Sequence, residues 1–290
     1  MPPHDVPRVF DRALGRARLA RAVRKGAADF LLRRAADDLI ERLALVQRPF
    51  PDVLDLGTPG PVLAQALARP GRSVTQAAPI TQALGAGVGL VADAEHAPFA
   101  PGSFDLIVSA LALQSVNDLP GALAQIRRML RPDGLFLACM LGGRTLSELR
   151  AALTAAEIEI SGGASPRVAP FADVRDMGGL LQRAGFALPV ADGETVTVRY
   201  DSMIGLLADL RAMGATNALV ERARDPMRRP VLARAAALYQ ENAQADGRVP
   251  ATFEFVWLSG WAPHESQQKP LAPGSAKMSL ADALAAQRKP

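Results

Sequence analysis

The sequence contains few of the residues that form covalent or metal cross-links. A single cysteine, Cys139, excludes an internal disulfide and a thiolate metal cluster, and because it lies inside the apolar run 135–141 we expect a buried thiol. The three histidines, His4, His96 and His264, are far apart in the chain and form no metal-ligand pair, so we predict no metal site. A G-x-S-x-G nucleophile elbow is also missing, which argues against a Ser-His-Asp hydrolase.

Long apolar runs are missing as well. No run approaches the roughly 20 residues of a membrane span, and the N-terminus lacks the apolar core of a signal peptide, so we expect a cytoplasmic protein. Aromatic residues make up 5% of the 290 residues, and the apolar share of 49% therefore comes mainly from alanine, leucine and valine. That share suits one well-buried α/β domain with additions.

Lysine is scarce among the 33 basic residues, and the excess of arginine, together with the many alanines, suits a bacterium with a GC-rich genome. The net charge of +4 is uneven, because residues 1–48 hold 11 basic and 6 acidic side chains, a net of +5. Two interpretations remain open: a solvated helical face, or a basic helix that meets an acidic partner, a membrane surface or nucleic acid. No basic patch interleaved with aromatics is present, so we expect no nucleic-acid binding, whereas peripheral membrane contact stays open.

Hydrophobic periodicity divides the first half of the chain into helices and strands. Residues 8–48 carry apolar positions at three- and four-residue spacing and are predicted to be helical up to Pro49. Strands are then predicted at 53–57, 72–77, 87–92, 104–110 and 135–141, and helices at 62–68 and 119–130. Continuous apolar strands that alternate with helices are typical of a parallel sheet covered by helices on both faces.

The second half adds predicted helices at 145–160 and 171–184 and alternating strands at 195–200 and 252–258. The region 203–244 reads as helical, with a break at Asp225-Pro226. We therefore predict an α/β fold with a Rossmann-like seven-stranded sheet, helices on both faces, and added helices at the N-terminus and before the last strand. The predicted division is an N-terminal helical extension (1–48), a main domain (49–262) with a helical insertion (201–250), and a C-terminal tail (263–290).

The first strand runs into the turn Asp55-Leu56-Gly57-Thr58-Pro59-Gly60-Pro61. In doubly wound folds this turn holds the nucleotide, and glycines let its backbone approach the ligand and donate N–H groups. Pro59 and Pro61 stand where further glycines are expected, and proline has no N–H and a fixed φ. Gly60, displaced by one place, is the glycine left to compensate. A ligand-binding turn and a tight strand–helix turn without a ligand both remain open.

Several stretches form a recognisable set. They are residues 9–12 (VFDR), 55–57 (DLG), 92–99 (ADAEHAPF), 102–109 (GSFDLIVS), 116–120 (VNDLP), 130–134 (LRPDG), 142–150 (GGRTLSELR) and 260–267 (GWAPHESQ). With them, over nearly its whole length, the chain resembles the family of the mitochondrial complex I assembly-factor arginine hydroxylase and its bacterial relatives. That family has the class I S-adenosylmethionine (SAM) methyltransferase fold. The resemblance to malonyl-acyl-carrier-protein methyltransferase is more distant.

The resemblance implies SAM binding and a protein partner, either a respiratory complex I subunit or another protein substrate. It assigns Asp55 and Gly57 to the methionine end of the cofactor, Asp93 and Ala94 to the adenine, and Ser109 and Leu111 to the border of the reaction pocket. Gly60, the displaced glycine, is a further candidate for cofactor binding. The resemblance assigns no catalytic residue.

The sequence departs from the family's pattern around this one ligand. The second strand ends in Ala78, where an acid would bind both ribose hydroxyls, and each lost charge-assisted hydrogen bond is worth about 1.5–3 kcal/mol. Gln114-Ser115 replace a His-Trp pair after the fourth strand, and Pro59 and Pro61 interrupt the glycine turn. These departures weaken the implication of SAM binding.

Three functions follow as hypotheses. The first is a SAM-dependent enzyme related to the arginine hydroxylase and acting on a protein side chain. The second is a pseudoenzyme that no longer binds SAM and serves as an assembly or protein-binding factor. The third is an O-methyltransferase of an acyl-carrier or small-molecule substrate. Outside the turn, Arg144 is expected either to bind an anion or to pair with Glu148 one helical turn on, and His264 has no assigned role.

Overall fold

Seven strands and eight α-helices alternate along residues 7–267, the part of the chain that the computed structural model describes. The strands are β1 (Asp52–Leu56), β2 (Ser73–Ala78), β3 (Val88–Val91), β4 (Phe104–Ala110), β5 (Leu130–Leu141), β6 (Ala187–Tyr200) and β7 (Val249–Trp261). The helices are α1 (Arg12–Arg24), α2 (Phe30–Ala44), α3 (Val62–Leu67), α4 (Leu119–Met129), α5 (Ser147–Ser161), α6 (Val174–Arg183), α7 (Met203–Ala212) and α8 (Arg229–Gln240).

The strands form one sheet in the order β3-β2-β1-β4-β5-β7-β6. Strands β1 to β5 pair in parallel, whereas β7 runs antiparallel between β5 and β6. The chain order reverses between β1 and β4, and ligands of doubly wound folds bind beyond the carboxyl ends of the strands at such a reversal. The predicted α/β fold with a seven-stranded sheet is confirmed.

Apolar side chains cover both faces of the sheet. Helices α2, α5, α7 and α8 pack on one face, and α4 and α6 pack on the other. Successive residues of β4 point to opposite faces of the sheet, so that Ile107 packs on the side of α4 and Val108 on the side of α2. This double burial explains why β4 and β5 read as continuous apolar runs.

Two regions predicted as single helical segments are divided in the structure. The region 8–48 contains α1 and α2, which are separated by a turn in which Gly26 has a φ of +83°. The region 203–244 contains α7, which ends before Gly214 with a φ of +72°, and α8, which starts with Pro230 in its first turn. Positive φ favours glycine, which explains both breaks.

The last two strands are longer than predicted, because they pair with each other along nearly their whole length. Residues 192–194 (Asp-Gly-Glu) have turn-like composition but lie in β6, opposite β7. Tertiary pairing therefore overrides the local propensity of this segment.

The predicted C-terminal tail (263–290) lies outside the described residues from position 268 onward. Its first residues close the turn at the start of β5, where Gln267 Nε2 donates to Asp133 Oδ1 at 2.9 Å. Asp133 has a φ of +61° and also pairs with Arg48, which follows α2. None of the described helices combines the length and the apolar character that crossing a membrane requires.

Candidate functional site

Gly57 ends β1 at the point where the sheet order reverses. Its φ is +78°, and a methyl group added there would lie 3.1 Å from Cβ of Ala112 and 3.7 Å from Cβ of Ala94. Three small residues from the ends of β1, β3 and β4 thus pack closely, and only glycine suits the first position. The structure thus brings Gly57 and Ala94 close together.

Asp55 points into the protein and binds its own turn. Its side chain is fully buried, and its Oδ1 accepts a hydrogen bond from the hydroxyl of Thr58. That hydroxyl in turn accepts from the backbone N–H of Ala110 at 3.1 Å, which ties the turn to the end of β4. Oδ2 is buried without a donor among residues 7–267, and burial raises the pKa of Asp55 to about 7.

Residues from β2, α2 and the segment before β3 contact the proline-containing part of the turn. The carbonyl of Gly60 accepts from Nε2 of the buried Gln76 at 2.9 Å, and a methyl group added at Gly60 would lie 3.4 Å from Leu32 of α2. Gln76 Oε1 accepts from the N–H of Gly85 at 2.8 Å, and Pro61 packs against Gly85. These contacts fix the turn against β2 and α2.

The end of β2 is covered by α1. Ala78 is fully buried and forms a small apolar cluster with Ile80 and Ala83. Side chains of α1, Leu19, Ala20 and Val23, pack against this cluster. The position that would hold an acid for a ribose therefore carries a buried methyl group, in a cluster on which α1 packs.

Asp93 follows β3 and is bound by arginines of α1. It pairs with Arg12, and Arg16 Nη1 lies 3.2 Å from its Oδ2. The backbone N–H of Glu95 donates to Asp93 Oδ1 at 3.0 Å. Burial alone would raise the pKa of Asp93, but this N–H and the charge of Arg12 prevail and lower it. Arg12 also donates to the carbonyl of Ser115 at 2.9 Å, so α1 spans the ends of β3 and β4.

Ser109 and Leu111 lie at the end of β4, where the resemblance implies a reaction pocket. The Ser109 hydroxyl is buried and has no hydrogen-bond partner among the residues that the structure describes. Leu111 has a φ of +50°, an uncommon conformation for a branched residue. Its carbonyl accepts from Nε2 of Gln114 at 2.7 Å.

Arg144 follows β5 and binds the neighbouring strands. Its Nε donates to Glu254 Oε1 at 2.9 Å, and its Nη2 donates to Thr195 Oγ1 at 2.6 Å. Glu148 instead accepts from Thr252. The predicted Arg144–Glu148 pair is therefore wrong, because antiparallel pairing with β5 brings a carboxylate of β7 closer.

The two histidines within the described residues, His96 and His264, are both exposed. His264 Nδ1 lies 2.7 Å from the hydroxyl of Ser266 in a local turn. Between residues 7 and 267 no group of His, Cys, Asp or Glu side chains could hold a metal ion.

An open cleft of about 470 Å³ lies beside the carboxyl end of β5. Its lining includes Gly143, Arg150, Thr154, Ser165, Val168 and Phe171. Nη2 of Arg150 donates hydrogen bonds to the carbonyls of Thr145 and Ala169. The cleft is large enough for a side chain of a partner or a small molecule.

Sequence reasoning missed the residues that close this edge: Thr58, Gln76, Arg12 and Arg16. The spacing of Arg12 and Arg16 places both on one face of α1, and that was the available signal. Their common partner, Asp93, could not be inferred from the sequence alone.

Comparison with known proteins identifies the family. The arginine hydroxylase NDUFAF5 of Danio rerio is 36% identical over 94% of this chain and 89% of its own length. The human protein is 39% identical over 94% of this chain and 83% of its own length. The chain belongs to the NDUFAF5 arginine-hydroxylase family.

Other matches agree on the methyltransferase fold of this NDUFAF5-family chain. A family model described as a methyltransferase domain matches residues 54–138. A malonyl-[acyl-carrier protein] O-methyltransferase of Methylovorus is 35% identical over 89% of this chain and 88% of its own length. A putative methyltransferase structure from Bacillus halodurans covers 79% of this chain and 100% of that chain, with 14% identity and a TM-score of 0.54, and it supports the fold alone.

Proposed function

We propose that this member of the NDUFAF5 family is a partner-binding factor that does not use SAM for turnover. The residues at the end of β2 do not fit the ribose of SAM. Ala78 offers no acceptor for hydroxyl groups, and it is fully buried in a small apolar cluster on which α1 packs. This buried alanine is the observation that carries the proposal.

Two further contacts support it. Asp93, which the family pattern assigns to the adenine, already binds Arg12 and Arg16. The turn after β1 is in contact with Leu32, Gln76 and Gly85, which leaves less room for a ligand. A nucleotide would therefore have to displace α1 and break the ion pairs of Asp93. The site has no carboxylate for the ribose that would compensate for this cost.

The surface beside β5 supports binding of a partner. Arg144 remains two-thirds exposed although it is held by Glu254, and the cleft with Arg150 opens next to it. From the family resemblance we propose a respiratory complex I subunit as the partner and a bacterial cytoplasm as the location. A peripheral membrane contact would be compatible with such a partner.

The test is a calorimetric titration of the purified chain with SAM and with S-adenosylhomocysteine. We expect no heat and no thermal shift at millimolar ligand. Binding at micromolar affinity, about −8 kcal/mol, would contradict the proposal. In that case Gly57→Ala serves as the control for the site, because the added methyl group meets Ala112 and the φ of +78° is strained.

A second candidate is a SAM-dependent enzyme that modifies an arginine side chain of a protein. The close packing of Gly57, Ala94 and Ala112 favours it, because this small-residue junction keeps the backbone geometry of a ligand-binding turn. The relatives named arginine hydroxylase, matched over 94% of the chain, favour it as well. Mass spectrometry of a candidate partner after incubation with the chain and SAM would detect a change of mass confined to an arginine residue.

A further inference from the structure

The segment between α3 and β2 places two arginines side by side. The sequence Arg69-Pro70-Gly71-Arg72 forms a turn in which Arg72 N–H donates to the Arg69 carbonyl at 3.1 Å. Proline at the second position and glycine with a φ of +76° at the third are typical of a type II turn. Both guanidinium groups therefore stand at the amino-terminal edge of the sheet, opposite the candidate functional site.

These arginines line an open cleft of about 290 Å³. Arg48 is the third arginine of the cleft. The apolar walls come from α2, α3 and the segment before β1, and they include Ile40, Leu43, Val46, Phe50 and Ala66. No carboxylate belongs to the lining, so the cleft combines apolar walls with positive charge.

Arg48 is neutralised, but the other two arginines are not. Arg48 pairs with Asp133. Arg72 donates to the carbonyls of Phe50 and Leu67, both at 3.2 Å, and its Nη2 is buried with no acceptor in the described part of the chain. Within residues 7–267, no carboxylate forms an ion pair with Arg69 or Arg72.

The surroundings of Arg72 disfavour its charge. Burial, and secondarily the charge of Arg69, lower the pKa of the Arg72 guanidinium. Carbonyl groups satisfy two of its N–H donors but add no net negative charge. Two adjacent positive charges with a free buried donor are thus left uncompensated.

We propose that this cleft binds a phosphate group. A phosphate monoester carries a charge of about −1.5 to −2 at pH 7, which matches two guanidinium groups, and its oxygens suit their planar donors. The group can belong to a small organic phosphate, whose remainder would pack on the apolar walls, or to a lipid headgroup. Leu45, which lies between two lining residues and is 82% exposed, would then contact the lipid. The proposal is independent of what the opposite edge binds.

Inorganic phosphate and glycerol 3-phosphate are the first probes, titrated into the full chain at constant ionic strength with acetate as the comparison ion. We expect both phosphates to bind and acetate to bind much more weakly. Arg69→Gln, whose side chain is exposed, should weaken phosphate binding by about tenfold or more. The matched control is Arg183→Gln, an exposed arginine of α6 outside the cleft, which should leave phosphate binding unchanged.

Vesicle flotation distinguishes the two sources of phosphate. Binding to phosphatidylcholine vesicles that contain phosphatidic acid, lost in Arg69→Gln and kept in Arg183→Gln, supports a lipid headgroup. Binding of the small phosphates without flotation supports a soluble phosphate compound. Phosphate binding that equals acetate binding, or that Arg69→Gln leaves unchanged, together with no specific flotation, would overturn the proposal. Arg72→Gln is a second variant, read only if its thermal unfolding remains cooperative, because Arg72 also holds two carbonyls.

Discussion

Asp55 is a buried carboxyl group whose role in the fold depends on its proton. One oxygen is bound to Thr58, and the other has no donor among the residues that the structure describes, so the neutral form suits the site better than the charged form. The pKa rises from an ordinary 3.8 to about 7. A raised folded-state pKa means that protonation stabilises the fold, and that this contribution is lost as the pH increases from about 4 through 7.

Asp55→Asn should remove this pH dependence. Asparagine keeps an acceptor for the Thr58 hydroxyl and cannot ionise. Between pH 4 and pH 7, we expect the free energy of unfolding of the variant, relative to wild type, to increase by about 1.4 kcal/mol for each pH unit. Urea unfolding at pH 5, 6, 7 and 8 measures the difference.

The control for that series is Asp225→Asn, which changes the same chemical group in an exposed loop. Its free energy of unfolding should follow the wild-type curve across the pH range. If the free energy of unfolding of Asp55→Asn also follows the pH dependence of wild type, the Asp55 carboxyl group is ionised in the folded protein. Oδ2 would then have a hydrogen-bond donor in solution.

At the scale of elements, α1 decides whether the carboxyl edge is open. Its apolar side chains pack on the cluster of Ala78, Ile80 and Ala83, and its arginines bind Asp93 and Glu95. Asn117 also fixes the segment before α1, since its Oδ1 accepts from the N–H groups of Val9 and Phe10. The helix is thus attached both by apolar packing and by polar contacts at its N-terminal end.

Replacing both Arg12 and Arg16 by glutamine should loosen α1. The pairs with Asp93 are only partly buried, so we expect a loss of about 1 kcal/mol in the free energy of unfolding. Faster proteolytic cleavage within residues 12–28 should accompany it. Arg24→Gln, at the other end of α1, is the control and should change neither measurement, because no acidic partner binds Arg24 among the described residues.

The same double variant separates a fixed cover from a lid. If α1 is part of the permanent structure, SAM produces no heat with either wild type or the variant. If SAM binds only to the variant, α1 is a lid that closes a working cofactor site. That result would favour the SAM-dependent enzyme over the partner-binding factor.

At the scale of the whole molecule, the sheet could be predicted from the sequence and the cover of its edge could not. Strands β4 and β5 are buried on both faces, and such strands leave continuous apolar runs. The departures at Pro59 and Ala78 were likewise visible as residue types. The contact between Arg12 and Asp93 spans 81 residues and depends on how α1 packs, so no local pattern indicates it. The inward direction of Asp55 follows from strand alternation, since it shares a face with the buried Val53.

Three carboxylates attach peripheral segments to the sheet or to a helix packed on it. Asp93 binds α1, Asp133 binds Arg48 and Gln267, and Glu157 of α5 binds Arg167 in the loop before α6. Burial alone would raise the pKa of each carboxyl group, but hydrogen bonds and the neighbouring arginines prevail and lower all three. For a lowered folded-state pKa, the stabilising contribution is present at neutral pH and is lost as the pH falls through that value.

Acid should therefore release the periphery before the core. Between pH 6 and about pH 3, hydrogen exchange corrected for its intrinsic rate should increase first in α1 and in residues 162–171, while β4 and β5 stay protected. Glu157→Gln should show faster exchange in residues 162–171 already at pH 6, because the glutamine leaves Arg167 without its charge partner. Uniform loss of protection over all segments would mean that acid unfolds the chain in one step, and that these ion pairs do not set the order in which segments detach.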